Sequence, residues 1–443
     1  MARQSETTDL HALIDDALAR TPPGRVVWVA ISGGLDSCLL LTLAAEACRR
    51  HPRPLHALHV NHGLQDAAEM FEAHCRRLCT ELGVPLFVDV VEVDLNAGQG
   101  LEAAAREARY AAFIRRVGEG ETLWLAQHRD DQAETFLLAA LRGSGVRGLA
   151  GMPAHRDWQE RRLQRPLLAV SRAELEQEAL RVGLDWVEDP SNRDRRLDRN
   201  FLRHAVLPLL ETRWPDSCKS LARSATLAGE ADDLLQELAE QDLARLGGDA
   251  GRLTVEEIMA LSAPRRRLLI RHACDRLGLQ RPPARRLESL LAQLSARGDA
   301  GVRIAWEGAE ARVWNRQLWL LAPAMALPAD WRAEWDGVSP LETPLGLARV
   351  ELRGPGGGPW RLEASRRRGG ERFHLTGRGR RDLKRLLQEA RVPPWRRRQL
   401  VVIRQEDDPL GVLDPLTSRW VIVAEGWEGY GQWSTRVKPA ASW

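Results

Sequence analysis

The chain has 443 residues, too many for one compact core, and implies two or three domains at roughly 100 to 200 residues each. With 44% hydrophobic and 28% charged residues it is neither a small disulfide scaffold nor a disordered polymer. Its 64 basic and 61 acidic residues leave a formal charge of +3, which argues for no polyanion partner. All but Lys219, Lys384 and Lys438 of the basic residues are arginine, the cation whose planar fork suits phosphate and carboxylate.

From Val26 to Trp214 short apolar runs alternate with helical periodicity, the pattern of repeated strand–helix units. Strands are expected at Val26–Ile31, Leu55–Val60, Leu86–Val93 and Thr122–Ala126, and helices at Cys38–Cys48, Ala67–Leu82, Leu101–Val117 and Gln132–Leu141. That order predicts a parallel sheet covered by helices, with ligands at the carboxyl ends of its strands. Helices follow at Ser217–Leu246, Val255–Leu277 and Ala284–Leu294, then strands at Val302–Trp306, Ala311–Trp314 and Gln317–Leu321. Gly354-Pro355-Gly356-Gly357-Gly358-Pro359 reads as a loop. An Arg-rich helix around Arg380–Arg391 precedes strands at Leu400–Arg404, Leu410–Leu413 and Trp420–Ala424. The expected division is a catalytic α/β domain over 1–215, a mostly helical middle domain over 216–330 and a small α+β domain over 331–443.

Ile31-Ser32-Gly33-Gly34-Leu35-Asp36-Ser37 stands directly between a strand and a helix. Two glycines allow a tight turn with outward N–H groups, and the helix N-terminus adds partial positive charge, so Ser32, Gly33, Gly34, Leu35 and Ser37 can cradle a phosphate. Asp36 supplies a hard oxygen where a magnesium ion bridging phosphates would need one. A Walker A loop is excluded because its lysine is missing. His59-Val60-Asn61-His62 ends the second strand, placing His59, Asn61 and His62 at the same edge. After the fourth strand comes Gln127-His128-Arg129-Asp130-Asp131-Gln132-Ala133-Glu134, in which Asp131 and Glu134 share one helical face. Two such carboxylates can hold a metal, orient an amine or accept its proton. Further on, Arg199, Asn200 and Arg203 share a face if Asp198–Arg203 is helical.

Ser-Gly-Gly-Leu-Asp-Ser resembles the PP-loop of the ATP pyrophosphatases, which implies an α/β fold with a Rossmann-like, doubly wound parallel sheet. Together with His59–Leu64, Glu102-x-x-x-Arg106-x-x-Arg109-Tyr110, Asp130–Thr135, Arg142–Leu149, Arg165-Pro166-Leu167-Leu168 and Glu188–Arg203, it resembles the bacterial tRNA(Ile)-lysidine synthetases over residues 20–215. Gly369-Gly370-Glu371-Arg372 through Arg398 resembles that family's carboxyl-terminal domain. The resemblance implies ligation of L-lysine to carbon 2 of the wobble cytidine of an isoleucine tRNA with the anticodon CAU. The reaction would use ATP and Mg2+, pass through an adenylated cytidine and release AMP and pyrophosphate. Asp36, His128, Asp131, Glu134, Arg199 and Arg203 take the catalytic positions, with Asp36 also on the metal. Asp131, Glu134, Asn200 and Arg203, with Arg106 and Arg109, take substrate-binding ones. One departure is Gln127-His128, where many members carry two histidines, leaving only His128 for that duty.

The nearest rival is a PP-loop base thiolase. Such enzymes usually show paired cysteines, and the six cysteines here include no C-x-x-C pair, only Cys75-x-x-x-Cys79. The first thirty residues carry Glu6, Asp9, Asp15 and Asp16, and no window approaches 18 apolar residues. A cytoplasmic protein with no membrane partner is therefore expected, and a homodimer is one admissible assembly. Finally, Arg361–Arg404 carries fourteen arginines and Lys384 against four acids, a net +11. This segment, with Trp395 interleaved and Arg396, Arg397 and Arg398 in a row, is the expected tRNA-gripping surface.

Overall fold

The structure, a computed structural model, describes residues 9–63, 68–92, 101–189, 192, 194–294, 301–323, 325–358 and 360–431. Glu6, Leu64, Ala67, Val93, Pro190, Ser191, Arg193, Pro359 and Lys438, and the side chain of Glu102, lie outside them. The chain divides into two compact units, Met1–Leu235 and Gln236–Trp443.

The first unit runs α1 (Leu10–Ala19), β1 (Val27–Ala30), α2 (Leu35–Arg50), β2 (Leu55–Asn61), α3 (Ala68–Leu82), β3 (Leu86–Val90), α4 (Leu101–Arg116), β4 (Thr122–Trp124), α5 (Arg129–Leu141), α6 (Val146–Leu149), β5 (His155–Trp158), β6 (Arg161–Gln164), α7 (Arg172–Arg181), α8 (Asp198–Phe201), a π-helical turn at Leu202–Val206, α9 (Leu207–Arg213) and the start of α10 (Ser217–Arg245). Its sheet has the order β3-β2-β1-β4-β6-β5. The first five are parallel, and β5 is antiparallel to β6 at the edge. Val27, Val29 and Ala57 are wholly buried, as parallel strands covered on both faces require. The core packs them against Cys38, Leu39, Leu41 and Leu43 of α2. The β5–β6 hairpin escaped the sequence because His-Arg-Asp-Trp and Arg-Arg-Leu-Gln show no apolar alternation; His155, Arg156 and Asp157 are exposed on an outer strand.

In the second unit, β7 (Arg252–Thr254), α11 (Val255–Ala260), α12 (Ala263–Arg276), α13 (Ala284–Gln293), β8 (Arg303–Trp306), β9 (Ala309–Trp314) and β10 (Gln317–Leu321) form an antiparallel sheet with helices. The single helix expected over Val255–Leu277 is two, because the chain extends at Leu261 and Ser262 and Pro264 starts a new helix. Next come β11 (Arg332–Trp335), β12 (Leu341–Thr343), β13 (Gly346–Ala348), β14 (Glu351–Arg353), β15 (Leu362–Arg366), β16 (Arg372–Leu375), β17 (Gly379–Asp382), α14 (Leu383–Glu389), β18 (Val401–Gln405), β19 (Asp408–Asp414), β20 (Arg419–Val423) and β21 (Glu428–Tyr430). Strand β18 buries Val401 and Ile403 in one core and Val402 in another, so its sheet is covered on both faces. The Arg-rich helix expected at Arg380–Arg391 is shorter: Arg380 and Arg381 belong to β17, and Asp382 caps α14 by accepting from the Lys384 N–H.

Candidate active site

The phosphate loop joins β1 to α2 at the carboxyl edge of the sheet, and its own serines shape it. Ser37 Oγ accepts from the Ser32 N–H at 3.0 Å, lies 3.1 Å from Ser32 Oγ and donates to the Gly34 carbonyl at 3.0 Å. Gly33 has φ +91°, a conformation that favours glycine, and a Cβ there would press on Phe71 Cδ1 at 3.1 Å. Its carbonyl accepts from the Val187 N–H at 3.0 Å, tying the loop to a segment far along the chain. Gly34 caps α2 without a side chain, leaving the helix N-terminus open to an anion. Leu35 is buried in the core and can contribute only backbone to a ligand.

Asp36 points from the first turn of α2 toward α5 and α7. Arg172 Nη1 donates to both its oxygens, at 2.8 and 2.7 Å, and His128 Nε2 lies 3.9 Å away. Burial raises the proton affinity of Asp36, against the lowering pull of His128 and Arg172. Arg172 was not evident in the sequence, since its partner is remote in the chain. It opens α7, where Ser171 and Glu174 form a capping box, and its N–H donates to Asp130 Oδ2 at 2.7 Å.

His128 caps α5. Its N–H donates to Asp131 Oδ2 at 3.1 Å, and its Nδ1 lies 3.3 Å from the Asp130 nitrogen. Burial opposes its protonation, but Asp130, Asp131 and Asp36 prevail and raise its pKa. Asp130, though half-buried, is held down to about 2 by His128 and the Arg172 N–H. Arg203 reaches the same place from the π-helical turn, a distortion often found at functional sites. Its Nε donates to Glu134 Oε1 at 2.7 Å and its Nη2 to Asp131 Oδ1 at 2.9 Å. Glu134 is fully buried, and that burial raises its pKa despite Arg203.

Asp36, His128, Asp131, Glu134 and Arg203 thus lie together, but the helical face expected for Arg199, Asn200 and Arg203 is interrupted by the π-helical turn. Asn200 is buried and donates to the Asp194 carbonyl at 3.0 Å, whereas Arg199 lies within electrostatic reach of Glu134. His59 is buried under the loop. Its Nδ1–H donates to the Ile31 carbonyl at 2.9 Å, and burial depresses its pKa. Asn61 Oδ1 accepts from the Gly63 N–H at 2.9 Å. His62 keeps a buried Nδ1 with no partner among the described residues; burial and Arg109 lower its pKa. Arg106 lies over the Tyr110 ring at 4.9 Å.

Gln127 Oε1 accepts from Arg165 Nε at 2.9 Å and so anchors a buried arginine. No group of three or more His, Cys, Asp or Glu among the described residues forms a ready metal cage. Magnesium keeps waters and uses one or two carboxylates beside phosphate oxygens, and Asp36 and Asp131 are carboxylates of that kind, held in this structure by Arg172 and Arg203.

In the second unit Trp395 is not on a phosphate-tracking surface. It is buried, edge-on to Trp314 and Trp319 at 6.3 and 5.9 Å, with Arg312 at 5.0 Å from its ring. Arg396 Nη1 binds the buried Asp414 at 3.2 Å and Arg397 Nε donates to the Val392 carbonyl at 2.9 Å, leaving Arg398 as the exposed member of the trio. Carboxylates also pair Arg361, Arg367, Arg368, Arg378, Arg385 and Arg404. Arg372, Arg380, Arg381 and Lys384, around the β16–β17 hairpin, are exposed and have no ion pair among the described residues.

A model of the PP-loop domain matches residues 5–210, one of the TilS substrate binding domain matches 253–319 and one of the TilS substrate C-terminal domain matches 362–425. The tRNA(Ile)-lysidine synthase of Xanthomonas axonopodis pv. citri is 44% identical over 409 residues, covering 90% of this chain and 92% of that protein. Those of Pseudomonas syringae pv. tomato and Pseudomonas aeruginosa are 43% and 45% identical, over 91% and 87% of this chain and 92% and 88% of their own. A solved U34-tRNA thiolase from Methanococcus maripaludis aligns with a TM-score of 0.41 and 19% identity, over 49% of this chain and 77% of its own, too loosely to argue from. By its identity to these synthases over nearly its whole length, the chain belongs to the tRNA(Ile)-lysidine synthase family.

Proposed function

We propose that the protein joins L-lysine to carbon 2 of the wobble cytidine of an isoleucine tRNA with the CAU anticodon, in the cytoplasm, with ATP consumed to AMP and pyrophosphate. The observation that carries this reading is the convergence of the phosphate loop with Asp36, His128, Asp131, Glu134 and Arg203 at one sheet edge. We read three domains, 1–215, 216–330 and 331–443; the three matching family models fall one in each.

The loop N–H groups and the α2 N-terminus hold the ATP phosphates, so that the cytosine oxygen on carbon 2 attacks the α phosphate and pyrophosphate leaves. Mg2+, when bound by Asp36 and Asp131, would neutralise charge developing on the phosphates. Arg172 exchanges Asp36 for a phosphate as the site fills. The lysine ε-ammonium has the sign of the Arg203 guanidinium and competes for the same Asp131 and Glu134 oxygens. Glu134, whose burial raises its proton affinity, takes the proton from the amine. The amine then attacks carbon 2 and AMP departs, while the displaced Arg203, with Arg199, receives the lysine carboxylate. His62 and Asn61 border the nucleotide, and Arg106 and Arg109 face the RNA. In the carboxyl-terminal domain, Arg398 and the exposed basic hairpin supply phosphate contacts.

A thiolase would need a reactive sulfur. Burial pushes Cys38 up to about 12 and Cys79 to about 11, and Cys75 beneath the loop higher still, so these thiols stay protonated. The direct test supplies ATP, radiolabelled lysine and transcripts of the isoleucine and methionine tRNAs that share CAU. Label should enter the isoleucine tRNA alone. Pyrophosphate release without label in that RNA would refute the reading, and Asp36→Asn should cut the release at least about 100-fold while tRNA binding persists.

A further inference from the structure

A second cationic site lies in the first unit, on the face of α5 that carries Arg129 and Gln132 rather than Asp131 and Glu134. It is a cleft of about 410 Å³ between α1, the segment after β6 and the start of α10. Its charged lining comprises Arg20, Arg129, Arg165, Lys219 and Arg223 against Asp16 alone, and Asp16 is already paired with Arg20. Lys219 and Arg223 stand one helical turn apart on α10, exposed, with no ion pair among the described residues.

The floor of the cleft is the more telling part. Arg165 is only 4% exposed, yet its donors meet neutral acceptors, Gln127 Oε1 at 2.9 Å and the Pro153 carbonyl at 2.7 Å. Among the described residues no carboxylate pairs with it. Burial drags its pKa to about 10, with Arg156 and Arg106 adding repulsion that Tyr110 partly offsets. Beside it, Arg129 has a buried Nε with no partner among the described residues, and its Nη2 lies 3.5 Å from Glu174. A buried cation without a counter-charge is costly, and a fold that holds Arg165 in that state, beside the part-buried Arg129 and under a rim of two more cations, is set up for an anion from outside.

We propose that this cleft binds a phosphoryl oxyanion, the backbone phosphate of an RNA or free pyrophosphate, as a site separate from the phosphate loop. Arg165 and Arg129 form its floor and Lys219 and Arg223 its rim. Only the RNA arm rests on the function proposed above.

The double variant Lys219→Ala/Arg223→Ala tests this, since alanine suits an exposed helix and leaves the floor intact. Two readouts separate the sources. Isoleucine tRNA binding is measured across a series of salt concentrations. Inorganic pyrophosphate is titrated calorimetrically into protein whose phosphate loop is filled by α,β-methylene ATP. If RNA phosphate occupies the cleft, tRNA affinity falls about 10-fold and the salt slope drops by about 2, with analogue binding unchanged. If free pyrophosphate occupies it, the calorimetric signal seen with the wild type disappears and tRNA binding holds. Lys219→Arg/Arg223→Lys should restore either loss, because it keeps the charge. An unchanged salt slope together with unchanged pyrophosphate binding would overturn the proposal. Lysine incorporation by the wild type, run alongside, shows separately whether the proposed reaction holds.

Discussion

The phosphate loop and the carboxylate cluster share one edge of one sheet, yet they are prepared for ligand in opposite ways. The loop is finished: serine hydroxyls brace it, glycine geometry shapes it, and the α2 N-terminus behind it carries no capping side chain. The cluster is closed on itself, with Asp36 held by Arg172, and Asp131 and Glu134 held by Arg203. Backbone donors can be left open because water satisfies them cheaply, whereas buried carboxylates cannot be left unpaired. An anion can therefore dock on a rigid surface, while a cation must displace a guanidinium.

The largest expected effect comes from breaking the closed side. Arg203→Ala strands the fully buried Glu134 and should cost about 3 kcal/mol in denaturant unfolding, the low end for a buried pair because Arg203 is itself part-exposed. A loss under about 1 kcal/mol would mean that the pair contributes no more than a surface one. On the open side, Gly33→Ala should weaken ATP binding about 10-fold through left-handed strain and the approach to Phe71, with tRNA binding kept. Unaltered ATP affinity would show that the loop is not rigid.

Arg172→Met removes the competitor for Asp36 and should lower the Mg2+ concentration needed for half-maximal nucleotide binding by about 2- to 5-fold, the worth of a part-exposed pair. A higher requirement would show that Arg172 assists the metal instead of competing with it. The smallest effect concerns pH. Because the folded pKa of His128 is raised, its stabilising contribution is complete below about pH 6.5 and disappears as pH climbs through the folded value. Unfolding free energies of wild type and His128→Asn, which keeps a capping side chain, should converge as pH rises above 6.5. Divergence with rising pH would contradict the assigned shift.

The parallel strands and the loop were legible because each is local: an apolar run, two glycines, a helix start. Asp131 and Glu134 were legible through helical spacing. Arg172 was not, because nothing near Asp36 in the chain announces a guanidinium arriving from another helix. The β5–β6 hairpin was hidden by strands that are polar on their outward faces. The basic run at Arg396–Arg398 offers less free charge than its sequence suggests, for the converse reason. Charge counted along a segment ignores the acids that folding brings to it, and Asp414 neutralises Arg396 from a different strand. The π-helical turn that delivers Arg203 has no signature in Leu-Arg-His-Ala-Val that separates it from an ordinary helix.

The hydrogen bond from Val187 to the Gly33 carbonyl fixes an order of events during synthesis. The phosphate loop leaves the ribosome well ahead of the backbone segment that fastens it, which emerges only when nearly the whole catalytic unit has been made. Nucleotide affinity should therefore arrive late in translation, and nascent chains halted before Val187 would carry the motif without the grip.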